Sequence, residues 1–129
     1  MKLLLDTQIL IWASAAPLRI PLAGRVLLED GQNDLYFSAA SIWEIAIKRS
    51  LGRAGFDVET RVLRRGLLDN GYAEIPVTSN HSVLLENLPA IHKDPFDRIL
   101  VAQAMAEGMV LITTDEMISK YPGAIRRVS

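Results

Sequence analysis

Residues 2–15 read KLLLDTQILIWASA. The apolar run KLLL is short enough for a buried strand, Asp6 closes it, and TQILIWASA looks helical until Pro17 ends it. The same strand-then-helix pattern continues along the chain. PLAGRVLLEDG, from Pro21 to Gly31, predicts a second helix with a proline near its start and a glycine after its end. DLYFS, from Asp34 to Ser38, predicts a second strand, and AASIWEIAIKRSLG a strong helix closed by Gly52. DVETRVLRRGLLDNG predicts a helix capped by Asp57 and stopped at Asn70–Gly71. YAEIPV reads as a short strand and TSNHSVLLENL as a short helix before Pro89. After the helix that begins near Pro95, MVLITT reads as a buried strand, Asp115 opens a short helix, and IRRV makes a last edge strand. Strands alternating with helices imply an α/β fold whose mainly parallel sheet is covered by helices on both faces.

The bulk composition limits what this fold can do. The chain has 129 residues, half of them apolar, enough for a single domain, 1–129, with a real core. It has no cysteine, which excludes a disulfide framework, a thiol nucleophile and a cysteine zinc site, and fits a reducing, cytoplasmic location. Formal net charge is −1, from 14 basic and 15 acidic residues, so any nucleic-acid partner must be met by local basic patches. Asp6 and Gln8 interrupt the apolar N-terminus, which argues against a signal peptide or membrane span.

The segment HKDPFDRILVAQA, His92 to Ala104, sets two acids three residues apart around a proline. Asp94 stands where an N-cap belongs and Pro95 at the first helical position. Asp97 then falls where a carboxylate can reach back to the cap, or else serve as a ligand. Asp6 and Asp115 each lie just after a predicted strand, at the carboxyl edge of the sheet where sites form in parallel α/β folds. On the helix of residues 39–50, Ser41, Glu44 and Lys48 share a narrow polar stripe on an otherwise apolar surface. Each acid taken alone also has a structural reading. Asp6 and Asp115 read equally as caps, Glu44 with Lys48 as an i,i+4 pair, and Asp97 as a capping-box acid. Taken together, four carboxylates in one cleft could not all stay ionised without a cation. An oxygen-only ligand set suits Mg²⁺ or Mn²⁺, and the chemistry it points to is metal-assisted hydrolysis of a phosphodiester.

The segments LLLDTQILIW, FSAASIWEIAIKRSLGR, HKDPFDRILVAQA and LITTDE, in this order, resemble those of the PIN-domain ribonucleases, specifically the VapC-like toxins of bacterial toxin–antitoxin pairs. The resemblance implies a three-layer α/β/α sandwich with a five-stranded sheet. It places Asp6, Glu44, Asp97 and Asp115 in a metal-binding catalytic cluster with Mg²⁺ or Mn²⁺, and Thr7 and Thr114 near it as supporting hydroxyls. An RNA substrate, a cognate antitoxin and a homodimer are implied as partners. Asp94 remains a helix cap.

Lys48, Arg49 and Arg53, with Arg61, Arg64 and Arg65 on the next helix, are candidates for RNA phosphate contacts or a solvated face. His81 and His92 read as surface histidines, Trp12 and Trp43 as core, and Met105, Met109 and Met117 as packing. Two rival functions share these features. One is an aspartyl-phosphate phosphohydrolase, against which Gln8 counts, because that chemistry wants a second acid there. The other is a non-catalytic binding module whose acids are only caps and surface pairs.

Overall fold

The computed structural model describes all 129 residues, Met1–Ser129. Five strands, β1 (Lys2–Leu5), β2 (Asp34–Ser38), β3 (Ala73–Ile75), β4 (Val110–Thr113) and β5 (Ile125–Arg127), form one sheet in the order β3-β2-β1-β4-β5. Every neighbouring pair is parallel. Leu4 is the centre of the register, opposite Tyr36 on one side and Leu111 on the other.

The helices are α1 (Thr7–Ala15), α2 (Leu22–Glu29), α3 (Ala39–Ser50), α4 (Thr60–Asp69), α5 (Ser79–Leu84), α6 (Pro95–Glu107) and α7 (Glu116–Ser119). Strand alternation divides the interior into two cores. Leu3, Leu5, Phe37 and Ile112 pack with Ile9 and Leu10 of α1, Ile45 of α3 and Leu63 and Leu67 of α4. Leu4 and Leu111 point the opposite way and pack with Leu100, Val101 and Ala104 of α6. The molecule is therefore a three-layer α/β/α sandwich. Leu3, Leu4 and Leu5 are all fully buried, each contributing about 1.5–3 kcal/mol of burial. No helix is long and apolar enough to cross a membrane.

After β1 the chain builds outward through β2 to β3. It then returns to place β4 on the other side of β1. The point where the order reverses lies between the carboxyl ends of β1 and β4, the usual position of a site in such sheets.

Several local expectations are corrected. Asp57 does not cap α4. That helix starts at Thr60 with Glu59 at the cap position and no side-chain bond, because Phe56 and Val58 pack on the core and hold the preceding segment out of the helix. The YAEIPV strand shrinks to Ala73–Ile75, since Pro76 has no N–H to continue a ladder. His81 is buried, not at the surface. Its Nδ1 accepts the Thr78 N–H at 3.0 Å and its Nε2 lies 2.8 Å from Glu107, so it both boxes the start of α5 and ties that helix to α6. Trp43 is 64% exposed, with Phe96 as an edge-to-face neighbour. Trp12 is half-buried against the first core. Of the methionines, Met109 packs inside while Met105 and Met117 are exposed.

Leu4→Ala should cost about 2–5 kcal/mol, since the rigid sheet around it cannot collapse into the cavity. Val26→Ala, on an exposed position of α2, should change stability by no more than about 0.5 kcal/mol. Urea unfolding followed by circular dichroism measures both, and similar losses would contradict the two-core description.

Candidate active site

Asp6 leaves β1 and caps α1. Its Oδ1 accepts the Ile9 N–H at 2.9 Å, and its Oδ2 accepts the Thr113 hydroxyl at the end of β4. Both oxygens are engaged and the residue is buried. Burial pushes its pKa up to about 6; the Thr113, Ile9 and Thr114 hydrogen bonds lower it, and the nearby Asp115 charge adds a further upward push. A buried carboxylate with both oxygens bound is poorly placed for in-line attack, which counts against the phosphoaspartate chemistry.

Glu44 reaches the same place from α3. Ser38 starts that helix by accepting the Ala40 N–H at 3.0 Å. Its polar stripe turns inward: Ser41 and Glu44 are buried, while Trp43 and Ala46 of the apolar arc face outward. Polar partners on α1 explain the rotation. The Thr7 hydroxyl donates to Glu44 Oε1 at 2.6 Å and lies 2.9 Å from the Ser41 hydroxyl. The other oxygen, Oε2, meets Lys48 Nζ at 2.5 Å.

Asp94 and Asp97 come from the start of α6. Asp94 Oδ1 accepts the N–H groups of Phe96 at 2.8 Å and Asp97 at 3.2 Å. Its Oδ2 lies 3.9 Å from Lys48 Nζ. Asp97 does not close a capping box. The Asp94 N–H that it would accept goes instead to His92 Nδ1 at 3.2 Å, which leaves the Asp97 carboxylate turned into the cleft. Asp115 follows β4 and caps α7, accepting from Met117 N–H at 2.7 Å. Its own N–H donates to Thr113 Oγ1 at 3.0 Å.

Asp6, Glu44, Lys48, Asp94, Asp97 and Asp115 line one cleft of about 330 Å³, together with Thr7, Thr114 and Phe56. Asp97 reports their convergence. Its pKa rises to about 8, first through burial and then through repulsion from Asp94, Glu44, Asp115 and Asp6. Thus Asp6, Glu44, Asp97 and Asp115 are brought together, with Asp94 beside them. Lys48 lies among them, whereas Arg49 and Arg53 are exposed and do not line the cleft. Arg49, Arg61 and Arg64 border a separate groove, and Arg64 also pairs with Glu74 at 3.5 Å.

Two residues that contact the cleft acids were not linked to them by the sequence alone. Thr113 binds Asp6 through its hydroxyl where Thr114 was expected, although Thr114 does line the cleft. His92 is partly buried, its Nε2 standing 3.2 Å from Asp97 Oδ2 and 3.7 Å from Asp115 Oδ2. Its place two residues before a cap was the one available signal. Because Nδ1 accepts the Asp94 N–H, the neutral ring carries its hydrogen on Nε2, directed at Asp97. His92 therefore offers a donor that orients a carboxylate. The Asp97 and Asp115 carboxylates that flank this donor bring oxygens within 4.8 Å of each other. The carboxylate oxygens fit a small hard cation such as Mg²⁺ or Mn²⁺.

The model of the PIN domain family matches residues 3–124. No curated protein sequence matches the chain. Among solved structures, VapBC2 from Rickettsia felis bound to a promoter DNA fragment superposes with a TM-score of 0.75 at 15% identity, covering 100% of both chains. A toxin–antitoxin complex from Klebsiella pneumoniae gives 0.64 at 18% identity, over 98% of this chain and 97% of that one. VapBC-1 from nontypeable Haemophilus influenzae gives 0.60 at 19% identity, over 98% of each. At such identities the superpositions speak for the fold, and the family match along nearly the whole chain says more: this protein belongs to the PIN-domain family.

Proposed function

We propose that this chain is a divalent-metal-dependent endoribonuclease, the toxin of a toxin–antitoxin pair. The observation that carries the reading is the convergence of Asp6, Glu44, Asp94, Asp97 and Asp115 on one cleft, where burial first and then repulsion from the other four acids push the Asp97 pKa up to about 8. Such a crowded set of oxygens is stable near neutral pH with either a retained proton or a bound cation. Membership of the PIN-domain family and the likeness to solved toxin–antitoxin complexes support the nuclease and the antitoxin partner.

Asp97 and Asp115, turned into the cleft, would hold Mg²⁺ or Mn²⁺ with help from Asp6 and Glu44. The ion would supply Lewis-acid stabilisation of the phosphate and lower the pKa of the attacking water. Around it, Thr113 and the Ile9 amide fix Asp6, Thr7 fixes Glu44, and His92 orients Asp97. The homodimer would draw on exposed apolar residues. Trp43 and Val77 border an apolar groove with Phe96 and Ile99, and Val83 is exposed on α5. A strictly monomeric mass by light scattering at micromolar concentration would remove the dimer and leave the enzyme standing.

Incubation with an RNA panel, with and without Mg²⁺, Mn²⁺ and chelator, tests the activity. Cleavage should need the metal and leave no phosphorylated protein. Asp97→Asn should lower it by orders of magnitude with little loss of fold. Asp94→Ala should cost about 1 kcal/mol of stability as a lost cap, and Asp94→Ser should recover much of it. An active Asp97→Asn protein beside a dead but folded Asp94→Ser protein would exchange the two roles.

The raised carboxyl groups also set a pH dependence. Folded Asp6 and Asp97 retain protons up to about 6 and about 8, whereas the ordinary aspartate value is 3.8. Their contribution to stability is therefore fully present below that ordinary value and is lost as pH rises through the two folded values. Metal-free protein should melt progressively lower as pH increases across this window, and Asp97→Asn should flatten its upper part. Mn²⁺, competing with these protons, should raise the melting temperature more at about pH 8 than at about pH 6. A metal-induced shift equal at both would separate the acids from the metal.

A further inference from the structure

Lys48 is the one basic side chain that lines the acidic cleft. An ordinary surface pair on a helix would leave its ammonium in water, but here the side chain is only 20% exposed. Nζ lies 2.5 Å from Glu44 Oε2 and 3.9 Å from Asp94 Oδ2. The ring of Phe56 is 5.0 Å away and that of Phe96 5.8 Å, both within reach of a cation–π contact. Two acids and two aromatic faces from separate parts of the chain thus hold one ammonium in a fixed place. The acids across the cleft have no such cation. The one basic side chain that Asp97 and Asp115 meet is the His92 imidazole. The cleft therefore has two cation positions, and the chain itself fills one of them.

We propose that Lys48 is the built-in second cation of this site, so that the protein takes up one divalent ion, at the Asp97–Asp115 position. The inference rests on the metal-dependent nuclease reading and decides how many ions that reading requires. In two-ion nucleases, two metals within about 4 Å of each other share the charge of the phosphate undergoing displacement. Here the ammonium occupies the Glu44–Asp94 side, where a second divalent ion would meet like charge. The fixed ammonium takes the second ion's place against the substrate phosphate, and its point charge does so without coordination geometry. No proton transfer by Lys48 is involved.

The test counts ions bound to the full chain. Mn²⁺ is titrated into the protein while free Mn²⁺ is read from its paramagnetic resonance signal. Wild type should bind one ion per chain with the spectrum of an isolated Mn²⁺. Lys48→Met keeps the stem and removes the charge; it should bind two, the second more weakly, with spin coupling between them. Lys48→Gln should repeat that result if the methionine variant folds poorly, and Lys48→Arg should stay at one ion. Cleavage by Lys48→Met at low Mn²⁺ should fall in kcat far more than it rises in KM, with recovery as the second ion loads. Two coupled ions in wild type would overturn the proposal, as would a folded charge-free variant that still binds only one. A wild-type protein that binds no Mn²⁺ and cleaves no RNA would instead overturn the nuclease reading itself.

Discussion

Mutual repulsion among carboxylates is the constraint to which the rest of this structure answers. Asp6, Glu44, Asp94, Asp97 and Asp115 share one cleft, and two such charges about 4 Å apart repel by roughly 4 kcal/mol at an effective dielectric near 20. The fold meets the repulsion with local devices. Asp6, Asp94 and Asp115 each give one oxygen to a helix N-terminus and direct the other across the cleft: to Thr113, towards Lys48 and towards His92. The positive end of a helix favours an acid by about 0.3–1 kcal/mol, so each cap offsets part of the crowding. Capping and function are thus not competing explanations of these residues. One carboxylate has two oxygens and can do both.

The sheet makes this arrangement possible. Because the strand order reverses between β1 and β4, two chain segments leave adjacent strands at the same edge, each ending in an acid that begins a helix. Thr113 joins them, bonding Asp6 through its hydroxyl and the Asp115 amide through its oxygen. The start of α6 arrives by a longer route, and the loop before it is fixed by its own contacts. The His92 N–H donates to the Tyr121 hydroxyl at 2.8 Å, and Arg98 donates to the Pro89 carbonyl at 3.1 Å. Asp94 and Asp97 are in this way set against the β1–β4 edge without belonging to a strand that ends there.

What could be read in the sequence follows from what is local. Apolar runs, prolines and glycines marked the strands and helices, and the acids after β1 and β4 marked the edge of the sheet. Features that depend on how elements rotate against each other were not legible. On α3 the apolar arc pointed to a buried Trp43, but Thr7 draws the narrow stripe of Ser41 and Glu44 inside and leaves Trp43 out. His81 looked like any histidine in a polar segment until α6 supplied Glu107. His92 needed both Asp97 and Asp115, from different parts of the chain, to become a partner of the cleft acids. Asp57 had the right residue type for a cap, yet Phe56 and Val58 beside it anchor the segment to the core.

Asp97 differs from its neighbours in a way that follows from these contacts. Asp6, Asp94 and Asp115 are each compensated by a helix N-terminus, and Glu44 by Lys48 and Thr7. Asp97 lies in the first turn of α6 but accepts none of its amides, because His92 has taken the one it would reach. It keeps only the imidazole as a donor while facing every other acid of the cleft. Burial first, and then repulsion from the other four acids, raise this carboxylate's affinity for a proton. Of the five acids, Asp97 is thus the one whose charge the fold compensates with the fewest donors of its own.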